Sequence, residues 1–434
     1  MAVAALTQRA HHCAAAARVP VYPVVGVDAR DRVETLLSDP ALDSVASPRQ
    51  AAVLLVAGAL PSYLGTDLKR LHDQLPHPRT TASWCAEPPP IPASLTLGNG
   101  ISPSDALVAA HGELYLGRRE SESDLLPDEP PAPWQGVGEH GQGGEGMMGG
   151  KPFGRPMAMT GQDPRDALPL DAVTVDAGPF LSTWPPGLKL RLTLQGDVVT
   201  EAALLHPPFR QTEIEAPFRR ALREPVAIAE LERARAAHHL RALARFLETR
   251  ELRALRMRFI RKADAVVAGE LRTLESLRRY FRLSGAALAI GRGLGTPTEG
   301  DCACLQGPAL RAAGADRDAR TDHPVYRRLG FRPVCGGRGD TASRLGQWLA
   351  EAEQSLALAE AAGDVRAEFP DGIEGPTGPI RDAAGELPSW DLESLLTGLE
   401  WDEMVAVLAS FDVAALRQVR PAVPAELADQ GEHS

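Results

Sequence analysis

The period of the apolar positions changes several times along this chain, and each change marks an element. VYPVVGV (Val21–Val27) reads as extended. AAVLLVAG (Ala51–Gly58) is a continuous apolar run, too short for a core helix and closed by glycine, which predicts a strand buried on both faces. GTDLKRLHDQL (Gly65–Leu75) then sets leucines at helical spacing, with Thr66 or Asp67 as N-cap, until Pro76 and Pro78 stop it. RTTASW (Arg79–Trp84) reads as the next strand, so the stretch forms a βαβ unit.

Strict alternation follows in LDAVTVDAGPF (Leu170–Phe180) and GLKLRLTLQGDVVTEAALL (Gly187–Leu205), with Gln195–Asp197 as the turn of a hairpin. From Glu224 to Gly285 the period becomes helical, with leucines on one face and arginines on the other, which predicts two or more long helices in a bundle. Another helix is predicted over Thr341–Ala362, and one or two amphipathic helices close the chain from Ser389, read as an N-cap. Cys85–Asp105 reads as loop, and the Pro-, Gly- and acid-rich Glu120–Pro156 as a long connector. Five units result: an α/β domain (1–115), a linker or extended arm (116–165), a hairpin-plus-bundle domain (166–362), a second linker (363–388) and a C-terminal helical tail (389–434). The fold class is α+β, mixed: an N-terminal βαβ, flavodoxin-like fragment followed by a β hairpin and a helical bundle.

Composition narrows the function. The 434 residues carry a formal charge of -11, which argues against nucleic acid as a partner. Five cysteines, odd in number and scattered, fit a reducing cytoplasmic compartment. No window offers the roughly 20 apolar residues of a membrane span, so membrane contact is expected only through partners. GEGMMG (Gly144–Gly149) matches a dinucleotide fingerprint in letters but lacks the strand and helix that give it meaning. Gln142–Met159 reads equally as a partner-binding arm or a solvated linker. Asp301–Cys304 offers a Cys-x-Cys pair; Cys302, Cys304 and Cys335 with His323 are weak candidates for zinc, against the plainer reading of unligated thiols. His238 and His239 share a helix but not a face; one is expected near the core and the other in solvent.

The least ordinary stretch is GPALRAAGADRDARTDHPVYRRLGFRP (Gly307–Pro333), dense in arginine and aspartate and broken by glycine and proline. Its charges either face water or pair with one another in a buried latch, since paired charges are buried where lone ones are not. Gly307–Phe331 resembles the GP-LRASG--WDLR-D-PY--Y---F stretch of the quinone-site large subunit of respiratory complex I, a family homologous to the large subunit of nickel–iron hydrogenases. Gly337–Ser355 resembles the family's G--GD-YAR-----E---S, and Asp176–Val199 resembles its opening hairpin. Ser47–Trp84 resembles the adjoining iron–sulfur small subunit, so the chain looks like both subunits fused. The resemblance makes Arg311, Asp316, Asp318, Arg320, Asp322, Tyr326, Asp340 and Arg344 the structural loop.

Much of the chemistry of these families is missing. No Cys-x-x-Cys supplies thiolates for nickel and iron. The hairpin loop reads GPFLSTWPPG (Gly178–Gly187) where complex I has GPQHPSTHG, and no tyrosine lies between Tyr115 and Tyr280. Cys13 and Cys85 are two thiols where a tetranuclear cluster takes four, and His11 or His12 beside Cys13 reads as exposed tail. The expectation is a cytoplasmic, peripheral subunit on the inner face of the cell membrane, within a complex I-like NADH-quinone oxidoreductase assembly. Its partners are membrane subunits and other peripheral subunits. It carries no resident cofactor and is structural rather than catalytic by itself. Two alternatives stand: a quinone-reducing subunit with a site rebuilt from Trp184, His206 and Asp340, and a free-standing regulatory adaptor.

Overall fold

A computed structural model describes residues 10–98, 100–128, 159–161, 170–212, 215–286, 293–381 and 389–420. The first part is a parallel sheet with helices on both faces. Its elements are β1 (Val19–Val25), α1 (Arg30–Leu36), β2 (Leu42–Ser44), β3 (Val53–Ala57), α2 (Gly65–His72), β4 (Thr80–Trp84), β5 (Leu95–Thr96) and α3 (Pro103–Tyr115). All pairings are parallel and the order is β2-β1-β3-β4-β5, a doubly wound arrangement. The continuous apolar run of β3 is explained by what lies on each side. Val53 and Leu55 pack with Val33 and Leu107, while Leu54 and Val56 pack with Leu68 and Leu71.

Two local readings differ from the structure. Neither Thr66 nor Asp67 caps α2, which is entered directly from a 3-10 turn at Ser62–Leu64. α3 lies in a stretch whose start reads as loop, although Ser102 and Pro103 are ordinary helix-start residues. The beginning of the expected linker is also not free chain. Glu122 accepts hydrogen bonds from the backbone of Thr81 at 2.8 Å and its hydroxyl at 2.6 Å, and Asp124 pairs with buried Arg79 at 2.5 Å. The chain is thereby strapped across the sheet. Gly144–Gly149 and all but the last residue of the Gln142–Met159 arm lie outside the described residues.

An antiparallel sheet follows, β6 (Met159–Gly161), β7 (Leu170–Ala177), β8 (Lys189–Gln195) and β9 (Val198–His206), with Gly196 at φ +62° in the predicted turn. Then come α4 (Ala216–Ala221), β10 (Val226–Ala227), α5 (Ile228–Thr249), α6 (Arg253–Val267), α7 (Glu275–Leu283), α8 (Glu299–Cys304), α9 (Gly307–Ala312), α10 (Pro324–Arg328) and α11 (Thr341–Ala362). The two 22-residue helices α5 and α11 pack on each other, with Leu243, Phe246 and Leu247 meeting Leu345, Trp348 and Ala352, and α6 adds Phe259 and Ile260. Residues 363–381, expected as linker, form β11 (Arg366–Ala367), which pairs with β10, and the small hairpin β12 (Ile373–Glu374) and β13 (Pro379–Ile380). The chain closes with α12 (Glu393–Leu396), α13 (Trp401–Ala409) and α14 (Val413–Leu416), whose apolar faces cover Leu190, Leu192 and Val199 of the antiparallel sheet. Ser389 is not the cap; a Glu400–Glu403 capping box starts α13. No helix among the described residues is long and apolar enough to cross a membrane.

Charged bolts join the parallel sheet to the helical part. Arg245 on α5 reaches Asp31 and Glu34 on α1, both at 2.6 Å, and Arg241 bridges Glu34 at 3.4 Å and Asp264 on α6 at 2.5 Å. Tyr22 donates to the Phe180 carbonyl at 2.6 Å, and Gln211 donates to the Gly26 carbonyl at 3.0 Å, just past the C-terminal end of β1. That strand-end region, where open α/β sheets usually hold ligands, here meets the segment after β9.

Candidate functional site

Part of the charged loop is folded into the interior. Arg311 is fully buried and gives Nε to Glu351 Oε1 at 2.7 Å, Nη2 to Glu351 Oε2 at 2.9 Å and Nη1 to Glu374 at 2.8 Å. Asp318 lies 3.3 Å from Arg311 and takes two bonds from the Arg320 guanidinium, at 3.0 and 2.7 Å, and a third from its backbone N–H at 3.0 Å. Arg320 continues to Glu232 at 3.2 Å, and Tyr326 donates its hydroxyl to Glu232 at 2.5 Å. Arg235 lies 3.3 Å from Glu232 and donates to the carbonyls of Glu374 and Gly375, both at 2.5 Å. Asp316 and Asp322 stay outside this cluster; both are exposed, and Asp322 pairs with Arg327 at 3.2 Å. Asp340 caps α11 through Ser343 at 2.8 Å and accepts from Gly293 at 3.1 Å. Arg344 is buried without a carboxylate in ion-pair range among the described residues. It donates to the Gly295 carbonyl at 2.8 Å and to Ser410, and lies 3.9 Å over the Phe411 ring.

The electrostatics follow from burial and partners. Burial alone would raise the Glu351 carboxyl, but Arg311 holds it well below the usual range. Asp318 is likewise lowered, against burial, by Arg320 and Arg311. Burial raises Glu374. Three guanidiniums, Arg235, Arg311 and Arg320, meet four carboxylates, and Glu374 is the one that most readily keeps a proton and makes the cluster neutral. The residues completing the cluster came from outside the loop. Glu232, Arg235 and His239 stand at i, i+3 and i+7 of α5; Arg344, Gln347 and Glu351 repeat that spacing on α11. Charged or polar residues at core-facing helical positions were the available signal.

Beside this cluster lies a cavity of about 450 Å³, where the parallel sheet, the loop before β8, the segment 210–219, α5, α11 and the C-terminal helices meet. Its lining includes Arg30, Asp31, Arg210, His238, Trp348, Phe411, Asp412 and Arg417. His238 and His239 are both buried, where one was expected in solvent. Crowding of α5 by the sheet on one side and α11 on the other leaves no solvent face at that turn. His238 lines the cavity. His239 Nε2 lies 3.3 Å from Glu351, near enough to feel its charge but not aligned for a hydrogen bond, so the cavity and the buried cluster are one neighbouring histidine apart. Burial, then His239 and nearby arginines, keeps His238 neutral, well below the usual histidine range. Burial pushes Asp412 up to about 6, although its carboxylate caps α14 by accepting from Ala415 at 2.8 Å. A neutral imidazole and a carboxyl that ionises near neutrality can each hold or release a proton at this wall.

The structure places Trp184 and His206 outside this cavity. Trp184 is buried against Trp401, ring centroids 6.0 Å apart. His206 donates Nδ1 to the Gly187 carbonyl at 2.9 Å and takes the Tyr63 hydroxyl on Nε2. Cys302, Cys304 and Cys335 give their thiols to the carbonyls of Pro297, Gly300 and Ala315, and Cys85 gives its own to Gly58 at 3.1 Å. Among the described residues no three His, Cys, Asp or Glu side chains are grouped to hold a metal ion. That donor set does not fit an iron–sulfur or nickel–iron centre.

Residues 267–373 match the family described as respiratory-chain NADH dehydrogenase, 49 Kd subunit. The match spans roughly a quarter of the chain and takes in the charged loop and α11, but not the parallel sheet or the hairpin. No curated protein matches the chain.

Proposed function

We propose that this chain is a peripheral subunit of a membrane-bound assembly related to the respiratory-chain NADH dehydrogenase, and that it acts there as a structural, cofactor-poor piece. The observation that carries this is the buried Arg311–Glu351 pair inside the family-matched region, which Glu374, one residue past its end, completes into a salt-bridged core that fixes loop, helix and hairpin in one arrangement. The scattered thiols support the absence of a resident metal. This reading takes the first part, a doubly wound parallel sheet, as a trimmed small-subunit relative fused to the 49 kDa-type part. On this reading the chain sits on the inner, cytoplasmic face of the membrane and reaches it through membrane-embedded partner subunits. The test is isolation of the tagged chain from gently solubilised membranes. Co-isolation of antiporter-like membrane subunits is the expected result. A chain that comes down alone is instead a free-standing adaptor, and stoichiometric iron or nickel in the purified protein overturns the cofactor-poor part.

A second reading is a subunit that still reduces quinone at a rebuilt site in the interface cavity, whose wall holds two titratable groups. Its acid–base groups are then His238 and Asp412. A quinone titration of the assembly in which Asp412→Asn loses activity and Trp184→Ala does not supports this second reading.

A further inference from the structure

Three of the guanidiniums lining the interface cavity have carboxylate partners of their own. Arg245 pairs with Asp31 and Glu34, both at 2.6 Å, Arg30 pairs with Glu34 at 3.4 Å, and Arg219 pairs with Glu215 at 2.6 Å. Arg210 and Arg417 have no such partner among the described residues. Arg417 donates to the Pro208 carbonyl at 2.5 Å, a neutral acceptor, and burial together with the positive Arg210 lowers its own affinity for a proton. Two like charges held together at a cavity wall are stabilised by an anion between them. The same cavity buries two polar atoms without a partner, His238 Nε2 and Gln418 Oε1. The His238 side chain is only 7% exposed, so water does not freely replace what is missing. An amide oxygen only accepts, and therefore needs a donor such as a hydroxyl. Trp348, Phe411, Pro185 and Ala242 make much of the remaining wall apolar.

We propose that this cavity binds a small hydroxylated organic carboxylate with an apolar ring. Arg210 and Arg417 take the carboxylate, Trp348 and Phe411 flank the ring, and Gln418 with His238 takes the hydroxyl. A cavity of about 450 Å³ lies within the usual range for small-molecule sites. A neutral quinone of similar size leaves both guanidiniums without a counter-charge. The inference does not rest on the assembly role proposed above, because the cavity belongs to the single chain and is tested without partners.

The test is a calorimetric titration of the full chain with hydroxynaphthoate, alongside its uncharged amide hydroxynaphthamide, the dehydroxylated naphthoate and a decyl-tailed benzoquinone. One-site binding of hydroxynaphthoate is expected, with the amide at least about tenfold weaker and naphthoate a few-fold weaker. Arg210→Gln should weaken the acid about tenfold while leaving the amide unchanged, and Arg417→Gln should do the same. Arg210 is exposed, so its variant is expected to keep the parent unfolding temperature and decides the matter if the Arg417 variant fails to fold. The proposal is overturned if acid and amide bind alike, if the acid does not bind, if Arg210→Gln leaves acid affinity unchanged, or if the benzoquinone binds more tightly than the acid.

Discussion

Arg311 and Glu351 meet through two charge-assisted hydrogen bonds of 2.7 and 2.9 Å, with both side chains removed from water. They stand 40 positions apart, one on the short helix that opens the charged loop and the other in the middle of α11. The contact decides what the loop is: an internal tie whose loss leaves carboxylates stranded in the core.

Arg311→Met should therefore cost about 3–5 kcal/mol, because Glu351, Glu374 and Asp318 lose a common partner inside the protein. Urea unfolding followed by far-ultraviolet circular dichroism measures it. The double variant Arg311→Met with Glu351→Met should lose less than the two single changes added together, since the apolar pair strands fewer charges. Full additivity would mean that the two residues do not act as a pair.

Tyr326→Phe removes the hydroxyl that donates to Glu232 at 2.5 Å and little else. Arg320 and Arg235 remain to hold that carboxylate. A loss of about 1–2 kcal/mol is expected, seen as a lower urea midpoint with an unchanged slope.

Acid should loosen the bolt between the parallel sheet and α5. Burial favours the protonated form of Glu34, but Arg245 and Arg30 bring its carboxyl down to about 2 in the folded chain. The unfolded chain takes up that proton first, near pH 4.3. Its stabilisation, on the order of 3 kcal/mol, is thus complete above pH 5 and is lost as pH falls toward 2. Glu34→Gln should be less stable at pH 7 and should show a shallower loss of stability from pH 5 to 3.

Asp412 should act in the opposite sense. Its folded carboxyl ionises near 6 and its unfolded one near 4, so the folded state holds the extra proton between those values. Stability from this group falls as pH rises through that window and is flat above it. Asp412→Asn keeps a capping acceptor and should remove that slope, which unfolding curves at pH 4, 5 and 6.5 read directly.

Gly307→Ala should be poorly tolerated. The residue has φ +57°, and a Cβ there would lie 2.4 Å from the Thr377 carbonyl oxygen. Strained backbone alone costs about 1–3 kcal/mol, and the clash pushes the turn before β13 away from Arg311. A drop of several degrees in unfolding temperature is expected; a parent-like value would mean that this close approach is absent.

What the sequence disclosed was local. The β3 run, the hairpin alternation and the whole of α11 over Thr341–Ala362 are governed by residues next to one another, so period alone found them. The charged loop displayed its own arginines and aspartates but not Glu232, Glu351 or Glu374, which reach it from 40 to 94 positions away. An ion pair leaves no mark in the intervening chain. Glycine and proline made residues 363–381 look loose, yet Gly375 and Gly378 serve a tight hairpin there; Gly375 donates to the Gly378 carbonyl at 2.7 Å. The cavity had no motif at all. Its wall is assembled from the start of α1, a hairpin loop, two long helices and the tail, and only folding brings those segments together.

The grip of Arg235 on the carbonyls of Glu374 and Gly375 crosses 139 and 140 positions of sequence. During synthesis, α5 leaves the ribosome long before those carbonyls exist. Glu232 can already meet Arg320 and Tyr326, but Arg235 lacks its two carbonyl acceptors until residue 375 arrives, and contacts that close so large a loop form slowly. The nascent chain therefore passes through a stage in which water stands in for the hairpin carbonyls at that guanidinium, and the last turn of the lock on α5 is made only after most of the chain has been synthesised.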